Sequence, residues 1–392
     1  MCEGMCEESL TPTARTTPCS VYAETVARLA SEGNLRRIPD GASVPGTAID
    51  LSSNDYLGLA SRPELQARFM EEAANRRIPF TSSASRLLAG RQTEYASLER
   101  LLEELYGRPA LLFNSGYHAN TGLVSALASE PGTLILADRL AHASIIDGIT
   151  LSRAPFGRFR HNDMNHLELL IERDGGKSRR IPVLVESVYS MDGDGVDLDA
   201  LVEIKRRHPQ VILYVDEAHA FGVEGERGLG ICRSHPRYDE IDVVVGTFGK
   251  ACASMGAFAA LSPAMKEYAL NRSRSFIFST ALPPIQAAWT EFMIRNILDM
   301  DGERSQLKAL GTRLGTLLGL APGHIMPIMA GNPQKAVAMS EALLAEGFKV
   351  LPIRVPTVPP GTDRLRVSLS AALGMTDVER FADAVKNLAS RI

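Results

Sequence analysis

With 392 residues, 45% of them hydrophobic and 22% charged, the chain has an ordinary globular composition and can bury a core in two domains. Its net charge of −4 offers no electrostatic footprint for nucleic acid or an acidic membrane, and no apolar run reaches the ~18 residues a membrane helix needs. The five cysteines, Cys2, Cys6, Cys19, Cys232 and Cys252, are odd in number and lack the companions of a metal set. Reduced thiols, a cytoplasmic location and no metal are expected.

Met1 to Cys19 has acids, Thr and Pro but no apolar centre, so it reads as an extension and not a secretory signal. Val21 to Leu29 has a helical apolar rhythm and leads to Leu35-Arg36-Arg37. Leu51 to Leu59 contains Asn54-Asp55, a turn-forming pair. Pro63 to Arg77 is expected to be helical, with proline in the first turn. Leu98, Leu101, Leu102 and Leu105 fall on one face of a helix that stops at Gly107.

Pro109 to Phe113 is a short buried strand, and Asn114-Ser115-Gly116-Tyr117 turns into a helix over His118 to Leu127. Such a turn presents backbone N–H groups and the positive end of a helix dipole, which suits a phosphate. Further strands are expected at Leu134 to Ala137, followed by Asp138 and His142, and at Val183 to Val185, followed by Ser190. The acids of Asp192-Gly193-Asp194 do not have the spacing of a calcium loop and read as a turn. Strands alternating with helices from Pro109 to Leu261 argue an α/β fold with a mostly parallel sheet covered by helices.

Two of these strands carry the chemistry. Val211 to Tyr214 is followed by Asp216, Glu217 and His219, and Val243 to Val245 by Gly246-Thr247-Phe248-Gly249-Lys250. Open α/β sheets place ligands at the carboxyl ends of their strands, so a carboxylate, an imidazole, a hydroxyl and an amine are delivered to one rim. Taken singly, each residue has an ordinary reading as a turn former, structural histidine or solvated lysine. Together, an Asp able to pair a pyridinium nitrogen and a Lys able to bond an aldehyde meet what pyridoxal phosphate chemistry requires.

The DEAHAFG stretch at Asp216 to Gly222, followed by GTFGKA at Gly246 to Ala251, resembles the fold-type I pyridoxal-phosphate transferases, and within them the α-oxoamine synthases. The resemblance runs from about Leu35 to the end. It includes SSNDYLGL (Ser52 to Leu59), Asp138…His142-Ala143-Ser144, SMDGD (Ser190 to Asp194), FSTALPP (Phe278 to Pro284) and PTVPPGTDRLR (Pro356 to Arg366). Ser83, Ala84 and Tyr95 depart from the family pattern.

The resemblance implies a large cofactor domain over 51–284, after an arm over 1–50, and a smaller C-terminal α+β domain over 285–392. It implies Lys250 as the covalent anchor and base, Asp216 against the pyridinium and His142 stacked on the ring. Gly116, Tyr117, Ser190, His219, Thr247 and Thr280 would contact the cofactor, with Thr280 reaching a neighbouring subunit and so making a homodimer with shared sites. Arg36, Asn54, Thr357 and Arg366 are implied at the substrates, Arg366 holding an amino-acid carboxylate. The implied reaction condenses an amino acid, L-alanine, with a pimeloyl thioester of coenzyme A or a carrier protein and releases CO₂. Relatives that use glycine share the same residues. A non-enzymatic regulator on this fold is disfavoured by the complete Lys/Asp/His set.

Overall fold

The computed structural model describes residues 20–36, 38, 48–74, 77–90 and 92–389. The expected extension over Met1 to Cys19, with Cys2, Cys6 and Cys19, lies outside them, as does Arg37. Cys232 and Cys252 are buried free thiols.

The chain divides into two compact units. One holds the described part of 1–49 with Ile328–Leu365, the other Asp50–Pro327 with Arg366 onward. The joint expected at 284 falls inside the second unit, where Pro284 opens the helix Pro284–Ile297.

The second unit is built on seven strands: β1 (Ala110–Phe113), β2 (Ile135–Asp138), β3 (Phe156–Phe159), β4 (Ile181–Glu186), β5 (Val211–Asp216), β6 (Val243–Thr247) and β7 (Ala257–Leu261). Their order across the sheet is β1-β7-β6-β5-β4-β2-β3. β7 runs antiparallel to both of its neighbours, and the other neighbouring pairs are parallel. Every residue of β1, β2, β4, β6 and β7 is buried, and so is all of β5 but Ile212. That burial is why these strands read as continuous apolar runs and not as alternating ones. β3, at the sheet edge, has two exposed residues and only the short FGRF stretch, so no apolar run announced it.

Helices pack on the sheet with recognisable ends. Helix α1 (Thr93–Tyr106) buries Leu98, Leu101 and Leu102, and it stops where Gly107 takes a left-handed φ of 67°. Helix α2 (Gly116–Ala128) starts at Ser115, whose hydroxyl accepts from His118 N. Helix α3 (Ala143–Ser152) starts at His142 and packs on α2.

Phe221 after β5, Phe248 after β6 and Phe258 on β7 form an aromatic cluster, with the last two rings stacked at 5.5 Å. Gly246 is required here, because a Cβ would sit 2.3 Å from the Phe258 ring. Where Ser83 departs from the family pattern, its φ is 48°, the left-handed region that glycine favours. Tyr95 is buried, donates its hydroxyl to Leu282 O and lies under Arg86 at 4.5 Å.

Candidate active site

Asp216 is the last residue of β5, and β6 beside it ends at Thr247, so the turn that follows carries Lys250 to the same rim. The Lys250 amine lies 2.8 Å from His219 Nε2. His219 Nδ1 lies 2.6 Å from the Tyr56 hydroxyl, which donates to Asn54 Oδ1 at 3.0 Å and accepts from Arg366 Nη2 at 3.2 Å. Since the one phenolic proton goes to Asn54, His219 carries its proton on Nδ1 and turns a bare Nε2 toward the lysine.

Burial keeps this group of side chains away from its usual charge states. It holds the His219 imidazole well below the usual histidine range and pushes the Tyr56 phenol up to about 12, so both stay neutral near pH 7. It brings the Lys250 amine from 10.5 down to about 8, with Asp216 and Glu186 opposing the shift and Arg366 assisting it. Glu186, buried beside Asp216, is held well above the usual carboxylate range by burial first and by that neighbour's charge second.

Asp216 itself accepts from Ala218 N at 2.8 Å and from Asn120 Nδ2 at 2.6 Å. His142 sits at the head of α3 with its backbone N–H on Glu186 Oε1 at 2.6 Å, and its ring is the exposed member of the set. Arg366 is buried, giving Nε to Ser190 O and Nη1 to Ser368 Oγ at 2.7 Å. Thr247 donates to Gly256 O at 3.1 Å and accepts from Gly249 N, and it stands opposite Gly116, where a Cβ would be 3.6 Å away.

The remaining expected residues have partners of their own. Tyr117 is exposed and bonded to Asp147. Thr280 is exposed, and its carbonyl accepts from Asn114 Nδ2 at 2.6 Å. Arg36 and Thr357 belong to the other unit, where they hydrogen-bond each other at 2.9 Å.

Tyr56, Asn120, Ser144 and Glu186 were not singled out from the sequence as site residues. The available signal was a polar side chain inside an apolar element, as with Asn120 among the buried residues of α2. Asp194, in the acidic turn, instead accepts from Asn162 at 2.7 Å and lies 2.8 Å from His161. His161 also lies 2.9 Å from Asp138, and the two carboxylates raise its imidazole to about 10 although burial opposes them. Among the described residues one grouping could in principle hold a cation, Glu168, Glu172 and His208, but Glu168 already receives two N–H groups of Arg207.

A half-buried amine held below the usual lysine range, a carboxylate held by two donors and an imidazole on one rim fit the aldehyde and ring nitrogen of pyridoxal phosphate. Fold and site together define a fold-type I pyridoxal-phosphate transferase. The chain belongs to the family described as aminotransferase class I and II, which matches residues 47–385.

Within that family its similarity is to the α-oxoamine synthases. A protein of Pasteurella multocida (strain Pm70) named "Putative 8-amino-7-oxononanoate synthase" is 43% identical over 383 residues, covering 94% of this chain and 99% of its own. The crystal structure of 8-amino-7-oxononanoate synthase from Francisella tularensis is 27% identical with a TM-score of 0.74, over 88% of this chain and 99% of its own. The serine palmitoyltransferase of S. paucimobilis, solved with bound PLP and myriocin, is 28% identical with a TM-score of 0.81, over 95% of this chain and 98% of its own.

Proposed function

We propose that the enzyme joins L-alanine to a pimeloyl thioester, releasing CO₂ and the free thiol carrier and forming 8-amino-7-oxononanoate for biotin synthesis. The observation that carries this reading is the Lys250 amine at 2.8 Å from a neutral His219, in a site that also holds Asp216 and a buried Arg366. The 43% identity to a relative named for that reaction points to these particular substrates.

Bound pyridoxal phosphate supplies an electron-withdrawing ring for the bonds at the amino acid's Cα. Asp216, kept an acceptor by Asn120 and Ala218, holds the proton on the ring nitrogen. Lys250, neutral at a lower pH than an ordinary lysine, takes and returns the Cα proton. His219 turns its bare Nε2 toward Lys250 and would accept from a protonated ring oxygen beside it, and His142 would cover the ring face.

Gly116 and Tyr117 at the start of α2, with Ser190, Thr247 and a partner subunit's Thr280, hold the phosphate end. Arg366 takes the substrate carboxylate, with Asn54 beside it through Tyr56. Arg36 and Thr357, which hydrogen-bond each other, are assigned to recognition of the acyl substrate.

A homodimer is supported by Phe80, Leu87, Leu88 and Phe278, which are 75%, 56%, 78% and 70% exposed in the single chain. They lie on two segments tied together by Ala281 N to Ala84 O and by Ser82 Oγ to Ala281 O at 3.0 Å.

Steady-state rates with alanine and pimeloyl thioester, compared with glycine plus acetyl- or succinyl-CoA and serine plus palmitoyl-CoA, test the assignment. Alanine with pimeloyl thioester should give the highest kcat/KM. Glycine lacks one methyl contact, so it should be a poor substrate by ~1–3 kcal/mol and not an inert one. A higher efficiency with any rival pair would reassign the enzyme within the family.

A further inference from the structure

Behind the rim, the Asn120 amide that donates to Asp216 belongs to a wider polar network. Asn120, on α2, is 1% exposed, and all of its hydrogen-bonding directions toward the site are occupied. Its Oδ1 accepts the Tyr214 hydroxyl at 2.7 Å, and its Nδ2 donates to Asp216 Oδ2 at 2.6 Å and to Ser144 Oγ at 2.9 Å. The amide cannot be turned over, because that would set Oδ1 against the Asp216 carboxylate. Tyr214, whose phenol is held well above its usual range by burial, remains a donor.

The second branch continues to His142. Ser144 Oγ, already accepting from Asn120, lies 2.7 Å from His142 Nδ1, and Ser144 N donates to the same nitrogen at 3.3 Å. Because Ser144 Oγ accepts from Asn120, its own proton is free to point at Nδ1, and this 2.7 Å contact is the stronger of the two that make the nitrogen an acceptor, the backbone N–H being longer at 3.3 Å. His142 is thereby left with its own proton on Nε2.

We propose that Asn120 is a positioning residue that couples the two groups on which the cofactor reading rests. Through one N–H it holds Asp216 as a fixed acceptor, and through the other it directs Ser144 to set the tautomer of His142. One amide thus orients the carboxylate assigned to the ring nitrogen and the imidazole assigned to the ring face.

The test reads the tautomer in protein without cofactor, so it does not depend on the functional reading. Nitrogen-15 NMR of histidine-labelled protein, with His142 identified by its loss in His142→Gln, should show a bare Nδ1 and a protonated Nε2 in the wild type. Asn120→Ala and Ser144→Ala should each shift His142 toward a mixture of tautomers, and Ser144→Thr, which keeps the hydroxyl, should restore the wild-type pattern.

Pyridoxal phosphate affinity separates the branches. Asn120→Ala should weaken it by about tenfold or more, the loss of a hydrogen bond to a charged group. Ser144→Ala should weaken it less, because Asp216 keeps its donor. A wild-type His142 protonated on Nδ1, or a tautomer unmoved in the soluble, folded Ser144→Ala protein, overturns the proposal whatever the enzyme binds. If Asn120→Ala does not fold, the Ser144 pair still decides the coupling to His142.

Discussion

Replacing Arg366 by alanine should remove most of the enzyme's hold on its amino acid while leaving cofactor uptake intact. The guanidinium has five N–H donors, and among the described residues Ser190, Ser368 and Tyr56 take one each. One N–H on Nη1 and one on Nη2 remain for a carboxylate. Losing one partner of a buried charged pair costs ~2–5 kcal/mol, which is about 30- to 5,000-fold in affinity.

Arg366→Lys should recover little, since an ammonium cannot keep the three anchoring bonds and the two-pronged grip together. Tyr56→Phe makes a graded control. It takes one acceptor from Arg366 and strands the His219 Nδ1–H, for a loss of ~1–3 kcal/mol. Spectrophotometric titration of the cofactor-loaded protein with L-alanine measures all three variants. An Arg366→Ala protein that binds alanine within threefold of wild type would refute the carboxylate assignment, whatever its turnover.

Burial lowers the Lys250 amine to about 8, so the neutral, nucleophilic form gains ground as pH rises through that value and not through 10.5. Capture of pyridoxal phosphate by cofactor-free protein should therefore speed up with a midpoint near pH 8; a midpoint above pH 10, or capture by Lys250→Ala that survives borohydride reduction as a covalent label, contradicts the anchor. Mixing inactive Lys250→Ala chains with inactive Thr280-disrupted chains should regenerate part of the activity, because one of the two mixed sites would then be whole. Mixed dimers that demonstrably form yet remain inactive rule out a shared site.

The strands β1, β2, β4, β5 and β6 were legible in the sequence because strands buried on both faces must be apolar throughout, and few other structures need such short runs. The chemistry at the rim was legible as well, since Asp216 closes one apolar run and Lys250 follows the other just past Thr247, each a group costly to bury without a use. β3 escaped notice because an edge strand needs little apolar surface. The arrangement behind the rim was decided only by the tertiary structure. Tyr56 and His219 are 163 residues apart, Asn120 and Asp216 96, and Tyr56 and Arg366 310, so no local periodicity could report their bonds. The tautomer of His219 follows from its long-range partner Tyr56, because a ring nitrogen donates or accepts according to what the folded chain brings against it.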